Sequence, residues 1–273
     1  MSVPSLRFND GHRIPQLGLG VYKVKNSQAT DVVLSAFEAG YRHVDTAALY
    51  GNERGVGIAV RTCGLAREDI FVTTKVWNDD HGYEQTLRAF NTSLRKLGLD
   101  RVDLYLIHWP APKQDRYLDT WRALEKLREE GLATSIGVSN FHTQHLDRLL
   151  AESSVVPVLN QVELHPWLPQ RAVREYSARH GMLTEAWSPL ARGRIVDDAV
   201  LAGIAARHGK SPAQVVIRWH LQLGNVVIPK SVTPARIREN IDVFDFDLDA
   251  DDLAAIAGLE SGTRTGLDPN DNG

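Results

Sequence analysis

Apolar runs of five to seven residues alternate with longer stretches whose apolar positions recur every three or four residues. The short runs are QLGLG (16–20), YRHVDT (41–46), IFVTTK (70–75), VDLYLIH (102–108), TSIGVS (134–139), VLNQVEL (158–164), MLTEAW (182–187) and NVVIP (225–229). Several are apolar on both faces, as strands of a covered parallel sheet are. Between them lie helical patterns. In 83–98, Leu87, Phe90, Leu94 and Leu97 share one face; in 117–131, Leu118, Trp121, Leu124 and Leu127 do the same. The helix at 28–40 ends on Gly40, and the one at 211–224 opens with Ser211 as cap and Pro212 behind it.

Strict alternation of strand and helix implies a parallel sheet. Eight strands in 273 residues predict a single-domain α/β chain, 1–273, closed as a (β/α)8 TIM barrel. The competing open dinucleotide fold requires G-x-G-x-x-G after an early strand. Gly18 and Gly20 lack the third glycine, with Lys23 in its place, and Gly55 and Gly57 are followed by Val60. HGKS (208–211) imitates the end of a P-loop, but Ile204 stands where that loop requires glycine. The segment reads as one helix ending at Gly209 and another capped by Ser211.

Composition changes this picture little. A 43% hydrophobic and 24% charged chain is an ordinary globular sequence, and a net charge of −3 disfavours a dedicated nucleic-acid binder. One cysteine, Cys63, forms no intrachain disulfide, which fits a cytoplasmic protein. No apolar run suits a signal peptide or a membrane span. The ten histidines lack metal-ligand spacing, so no metal is expected. The polar stretch from about 262 to 273 reads as a loose tail.

In such a barrel the C-terminal strand ends meet at one mouth, where chemistry is done. Those ends carry Asp45, with Tyr50 just beyond, then Lys75, His108, Ser139 with Asn140, Gln161, Trp187 and Lys230. Each alone has an ordinary structural reading: an Asp caps a helix, a Lys is solvated, a His is satisfied in the core. Together they make an acid–base set. A phenol is a reluctant acid, a nearby ammonium is expected to lower its pKa, and a carboxylate keeps that ammonium charged and oriented. With a histidine donating to a substrate oxygen, the set suits carbonyl reduction. It supplies no hydride, so a cofactor must. The segment from Pro229 to Asn240 adds a local basic feature: Lys230, Ser231 and Arg236 can gather around a phosphate, and Pro234 opens a helix whose N-terminus favours an anion.

GLGVYK, HVDTAALYGNE, VTTKVWN, DLYLIHWP, IGVSNF, NQVELHP, WSPLARG and IPKSVTPARIRENI, in this order, resemble the segments of the aldo-keto reductases, most like the bacterial 2,5-diketo-D-gluconate reductase group. The resemblance covers nearly the whole chain. It implies a catalytic tetrad of Asp45, Tyr50, Lys75 and His108, with Tyr50 as general acid, and an extended NADPH without a Rossmann fold. Cofactor contacts would come from Gly20, Val21 and Tyr22; from Ser139, Asn140 and Gln161 at the carboxamide; and from Trp187 stacked on the nicotinamide. Ser188, Pro189, Leu190 and Gly193 would follow the pyrophosphate. Lys230, Ser231, Val232, Thr233 and Arg236 would surround the 2′-phosphate, and Glu239 and Asn240 the adenine. Tyr22, Trp77 and Trp109 would wall the substrate pocket. Tyr22 replaces the tryptophan of many relatives, and the short tail predicts an open, weakly discriminating pocket. His108, in place of the glutamate of steroid double-bond reductases, predicts C=O reduction.

The expected activity is therefore NADPH-dependent reduction of aldehydes or ketones by a cytoplasmic monomer with a small carbonyl substrate and no nucleic-acid or membrane partner. An NADPH-binding redox-sensing module with little turnover is the alternative. A barrel hydrolase using Glu163 and Glu185 as paired carboxylates is a third reading, with little else to support it.

Overall fold

The computed structural model describes residues 3–272; Met1, Ser2 and Gly273 of the predicted domain lie outside the described residues. An antiparallel hairpin comes first, β1 (Ser5–Arg7) and β2 (Arg13–Pro15). Eight parallel strands follow: β3 (Leu19–Gly20), β4 (His43–Asp45), β5 (Phe71–Val76), β6 (Val102–Ile107), β7 (Ala133–Ser139), β8 (Leu159–Glu163), β9 (Leu183–Trp187) and β10 (Val226–Val227). Each pairs with the next in chain order, and a parallel bridge from Leu17 to Val227 joins the two ends. The fold is the (β/α)8 barrel that the alternation predicts. Each of the eight predicted runs overlaps one of these strands; β5 runs one residue past its predicted end, β7 starts one residue before its predicted beginning, and β3 and β10 are only two residues long, with Leu17 adding an isolated bridge.

Helices α1 (Asn26–Glu38), α2 (Glu53–Thr62), α3 (Tyr83–Leu97), α4 (Tyr117–Glu129), α5 (Thr143–Glu152), α6 (Arg171–Arg179), α7 (Ala199–His208), α8 (Pro212–Gln222), α9 (Pro234–Ile241) and α10 (Ala250–Ala257) surround the sheet. The HGKS segment is what the pattern predicts: α7 ends at Gly209 (φ 63°), and Ser211 caps α8 by accepting from the Gln214 amide at 3.3 Å. Trp121 and Leu124 of α4 and Phe90 and Leu97 of α3 are buried against the strands.

The N-terminal hairpin was not predicted. It closes the barrel end opposite the mouth, where Ile14 and Phe8 pack with Phe71, Leu104, Leu106, Val158, Leu159 and Val226. This apolar plug leaves the other end of the same interior free to hold polar groups.

Candidate active site

At the mouth the strand ends do converge. Asp45 closes β4, and its Oδ1 accepts a 2.6 Å hydrogen bond from Lys75 Nζ on β5; both side chains are buried. Lys75 gives a second hydrogen bond to the Thr46 carbonyl at 2.9 Å. Its ammonium has three donors, and two are thus spent. Nζ also lies 5.2 Å from the centre of the Tyr50 ring. Tyr50 is carried by a short 3-10 turn, Ala48–Tyr50, that ends on Gly51 with φ 68°, a left-handed position suited to glycine. Buried Asn52 ties this turn to the β3 loop: it accepts from Thr46 Oγ1 at 2.7 Å and donates to the Val21 and Val24 carbonyls. That link places Tyr22 beside Tyr50, with ring centres 5.0 Å apart.

His108 follows β6. Its ring meets those of Tyr50 at 5.6 Å and Trp77 at 5.2 Å, both edge-on. Burial, and then the charge of Lys75, hold its imidazole well below the ordinary range, so it is neutral at physiological pH. The structure therefore gathers Asp45, Tyr50, Lys75, His108, Trp77 and Tyr22 in one place.

One expectation needs correcting. Lys75 does not leave the phenol more acidic in this structure. Burial, and then the Asp45 carboxylate, push Tyr50 well above its ordinary range. The ammonium is closest to Asp45, which offsets its field at Tyr50. The phenol is protonated at neutral pH and so remains a proton donor.

A hydrogen-bonded chain continues around the rim. Asn140, held in the left-handed region (φ 64°), donates to the His108 carbonyl at 2.9 Å and accepts from Trp187 Nε1 at 2.9 Å. Ser139 Oγ donates to the Gln161 carbonyl at 2.9 Å. The Gln161 side-chain nitrogen donates to Asp45 and to Glu185, leaving its oxygen as the free end of the amide. Trp109 lies 6.5 Å from Trp187.

After β9 the backbone is unusual. Ser188, Ala191, Arg192 and Gly193 all have positive φ. Three non-glycine residues in that region within one loop mark backbone strain of the kind found at ligand-binding segments. Pro189 and Leu190 belong to the same loop. On the far side, α9 begins at Pro234 after exposed Lys230, Val232 and Thr233, and the Thr233 amide donates to Ser231 Oγ at 3.1 Å. Arg236 is exposed on the first turn, Glu239 is half-buried and Asn240 buried.

The paired-carboxylate reading finds no support, because Glu163 is committed to the chain around it. Glu163 accepts from His165 Nε2, the Thr265 amide and hydroxyl, and the Gly266 amide at 2.6–3.1 Å. Residues 262–272 are consequently no loose tail. They cross the mouth, where Gly266 rests so close to the Trp187 ring that a Cβ would collide with it. Asn270 meets Gln144 at 2.9 Å, and Lys113 donates to the Asp271 carbonyl at 3.1 Å. Leu49, 45% exposed beside Tyr50, is a further apolar residue at the mouth that the motif reading missed; its place directly before the tyrosine was the available signal. A separate cleft of about 560 Å³, lined by Arg13, Arg42, Glu68 and Asp69 among others, shares none of the candidate residues.

A closed barrel with acid, cation, phenol and imidazole at its C-terminal mouth defines an oxidoreductase class, and comparison with known proteins names it. The Aldo/keto reductase family matches residues 16–261. An aldo-keto reductase of Mycolicibacterium smegmatis is 53% identical over 97% of both chains, and methylglyoxal reductase DkgA of Escherichia coli (strain K12) is 50% identical over 98% of both. Among solved structures, a Gox0644 variant in complex with NADPH superposes with TM-score 0.96 at 49% identity over the whole of both chains. An aldo/keto reductase from Brucella melitensis gives TM-score 0.93 at 57% identity, covering 95% of this chain and 99% of that one. The chain belongs to the aldo/keto reductase family. Its activity is NADPH-dependent reduction of aldehyde or ketone carbonyls.

Proposed function

We propose that hydride passes from nicotinamide C4 to the carbonyl carbon while the Tyr50 hydroxyl protonates the oxygen. The observation that carries this assignment is the Asp45–Lys75 contact at 2.6 Å with Nζ 5.2 Å from the Tyr50 ring centre. The developing alkoxide makes its demand for a proton beside a fixed ammonium. As the phenol yields its proton, the third Lys75 donor is available to the phenolate. Neutral His108 orients the carbonyl by donating a ring N–H.

The nicotinamide would lie on Trp187, its carboxamide read by Asn140, Ser139 and the free oxygen of Gln161. Gly20 and Val21 would back the ring, and the strained Ser188–Gly193 loop would follow the pyrophosphate. The 2′-phosphate would sit at the start of α9 among Lys230, Ser231, Val232, Thr233 and Arg236, with Glu239 and Asn240 at the adenine. NADPH supplies the hydride when bound; the chain supplies position and the proton.

The substrate we favour is a small α-dicarbonyl such as methylglyoxal, the compound named for the relatives of Escherichia coli and Yersinia pestis. Tyr22, Trp77, Trp109 and Leu49 would wall a shallow pocket that selects for size weakly. The protein is read as a cytoplasmic monomer. Steady-state NADPH and NADH oxidation against methylglyoxal and a panel of aldehydes and ketones tests the reading. The expected result is highest kcat/KM for methylglyoxal with NADPH. Preference for a bulky monocarbonyl, or for NADH, would refute the substrate or the phosphate assignment respectively.

A further inference from the structure

The barrel interior holds one acid that this reaction does not use. Glu185 lies on β9, two residues before Trp187, and is fully buried. Strand register places it directly beside Gln161 of β8 on one side and Val226 of β10 on the other. The Gln161 amide nitrogen carries two hydrogens, and each meets a carboxyl: Asp45 Oδ2 at 2.8 Å and Glu185 Oε2 at 2.7 Å. One amide thus bridges two acids that lie 140 residues apart in the chain. The second Glu185 oxygen, Oε1, is buried without a hydrogen-bond partner among the described residues and stands 3.8 Å from His43 Nε2.

The charge balance of this compartment is one-sided. Facing Glu185 are His43 and Asp45 from β4, Lys75 from β5 and, beyond them, Tyr50; β8 offers neutral Gln161 and β10 only valines. Burial, and then Lys75, pull His43 down to about 3, so it is neutral. Lys75 is the one cation of the set, and Asp45 holds it directly. A second carboxylate in a dry interior would have no counter-charge. Burial, and then the Asp45 charge, accordingly push Glu185 up to about 8.

We propose that Glu185 is a positioning residue for carbonyl reduction: tied to Asp45 through Gln161 at the base of the tetrad, it leaves that compartment with a single negative charge while it keeps its proton, and loss of that proton to solvent slows turnover. Ionised Glu185 adds a second negative charge beneath Lys75 and Tyr50. That charge opposes formation of the tyrosinate as the phenol gives up its proton. This inference rests on Tyr50 as proton donor.

The test is the pH dependence of kcat at saturating NADPH and methylglyoxal for wild type, Glu185→Gln and Glu185→Asp. Wild type is expected to lose activity with an apparent pKa of about 8, from the Glu185 shift. Glu185→Gln keeps the shape and the bridge to Gln161 but cannot ionise, so its alkaline limb should move up by at least about one unit. Glu185→Asp withdraws the carboxyl from Gln161, so it should lower kcat at every pH and keep an alkaline limb. Infrared difference spectra of wild type between about pH 6 and about pH 10 should show the loss of one protonated carboxyl, a readout independent of whether the variants fold. A wild-type limb preserved in Glu185→Gln, or no protonated carboxyl in wild type, would overturn the proposal. Should Tyr50→Phe retain full turnover, the proton-donor reading itself fails; should it lose turnover while Glu185→Gln keeps the limb, only the role of Glu185 fails.

Discussion

The two ends of the barrel interior are built from the same eight strands and hold opposite chemistry. Toward the N-terminal end, Phe71, Leu104, Leu106, Leu159 and Val226 close on Ile14 and Phe8 of the hairpin. Toward the C-terminal end, β4, β5, β8 and β9 present Asp45, Lys75, Gln161 and Glu185, all buried. The apolar end needs no partners and gains from every buried methylene. The polar end costs desolvation and survives because its charges are paired and its amide hydrogens matched. One layer thus contributes stability, and the other spends part of it on holding Tyr50 and His108 in place.

Breaking the polar end at its cation should have the largest effect. Lys75→Met leaves Asp45 uncompensated in the interior and should cost about 3–5 kcal/mol in urea unfolding, together with loss of measurable turnover. Tyr50→Phe keeps the packing and removes the proton, so kcat should fall roughly 10²–10⁴-fold while NADPH binding, followed by fluorescence, stays nearly intact. Breaking the apolar end reverses the pattern. Leu104→Ala should cost about 2–5 kcal/mol in stability, with kcat of the folded enzyme near wild type.

Smaller effects sharpen the contrast at the rim. Burial pushes the Glu163 carboxyl up, but hydrogen bonds from His165, Thr265 and Gly266 outweigh it and hold it to about 2. A carboxyl held low stabilises the fold above its ordinary range near 4.5, and that contribution is lost as pH falls toward 2. Glu163→Gln should therefore flatten the acid side of the stability curve and speed hydrogen exchange in residues 262–272. Arg236→Ala should raise KM for NADPH about tenfold and leave KM for NADH unchanged, a loss confined to the exposed phosphate end.

Much of this was legible in the chain. The strands read clearly because they are buried on both faces, and the tetrad candidates stood out because each ends a strand or follows one closely. Other features depend on contacts that pattern does not encode. The hairpin strands are three residues each, too short for a period, although Asn9-Asp10-Gly11 was a usable turn signal and Gly11 does adopt φ 95°. The direction of the Tyr50 shift turned on its burial and then on the Asp45 charge, neither of which a motif encodes. The link from Glu185 through Gln161 to Asp45 needed the register of β8 with β9 and closure of the barrel to bring β4 across from them; the TEAW run placed an acid on the face of Trp187 but could not say what it would meet. The segment after 262 looked loose because its composition is polar, yet its fixation comes from Glu163, about a hundred positions away.

Glu163 grips that segment partly through the amides of Thr265 and Gly266, which every amino acid but proline supplies. Those grips read main chain rather than side-chain identity. Leu267, 62% exposed just past the anchor, is therefore free to vary without unfastening it. Evolution or a mutant library has at that position an interchangeable facing over the mouth, with Gly266 excluded from the exchange by the ring beneath it.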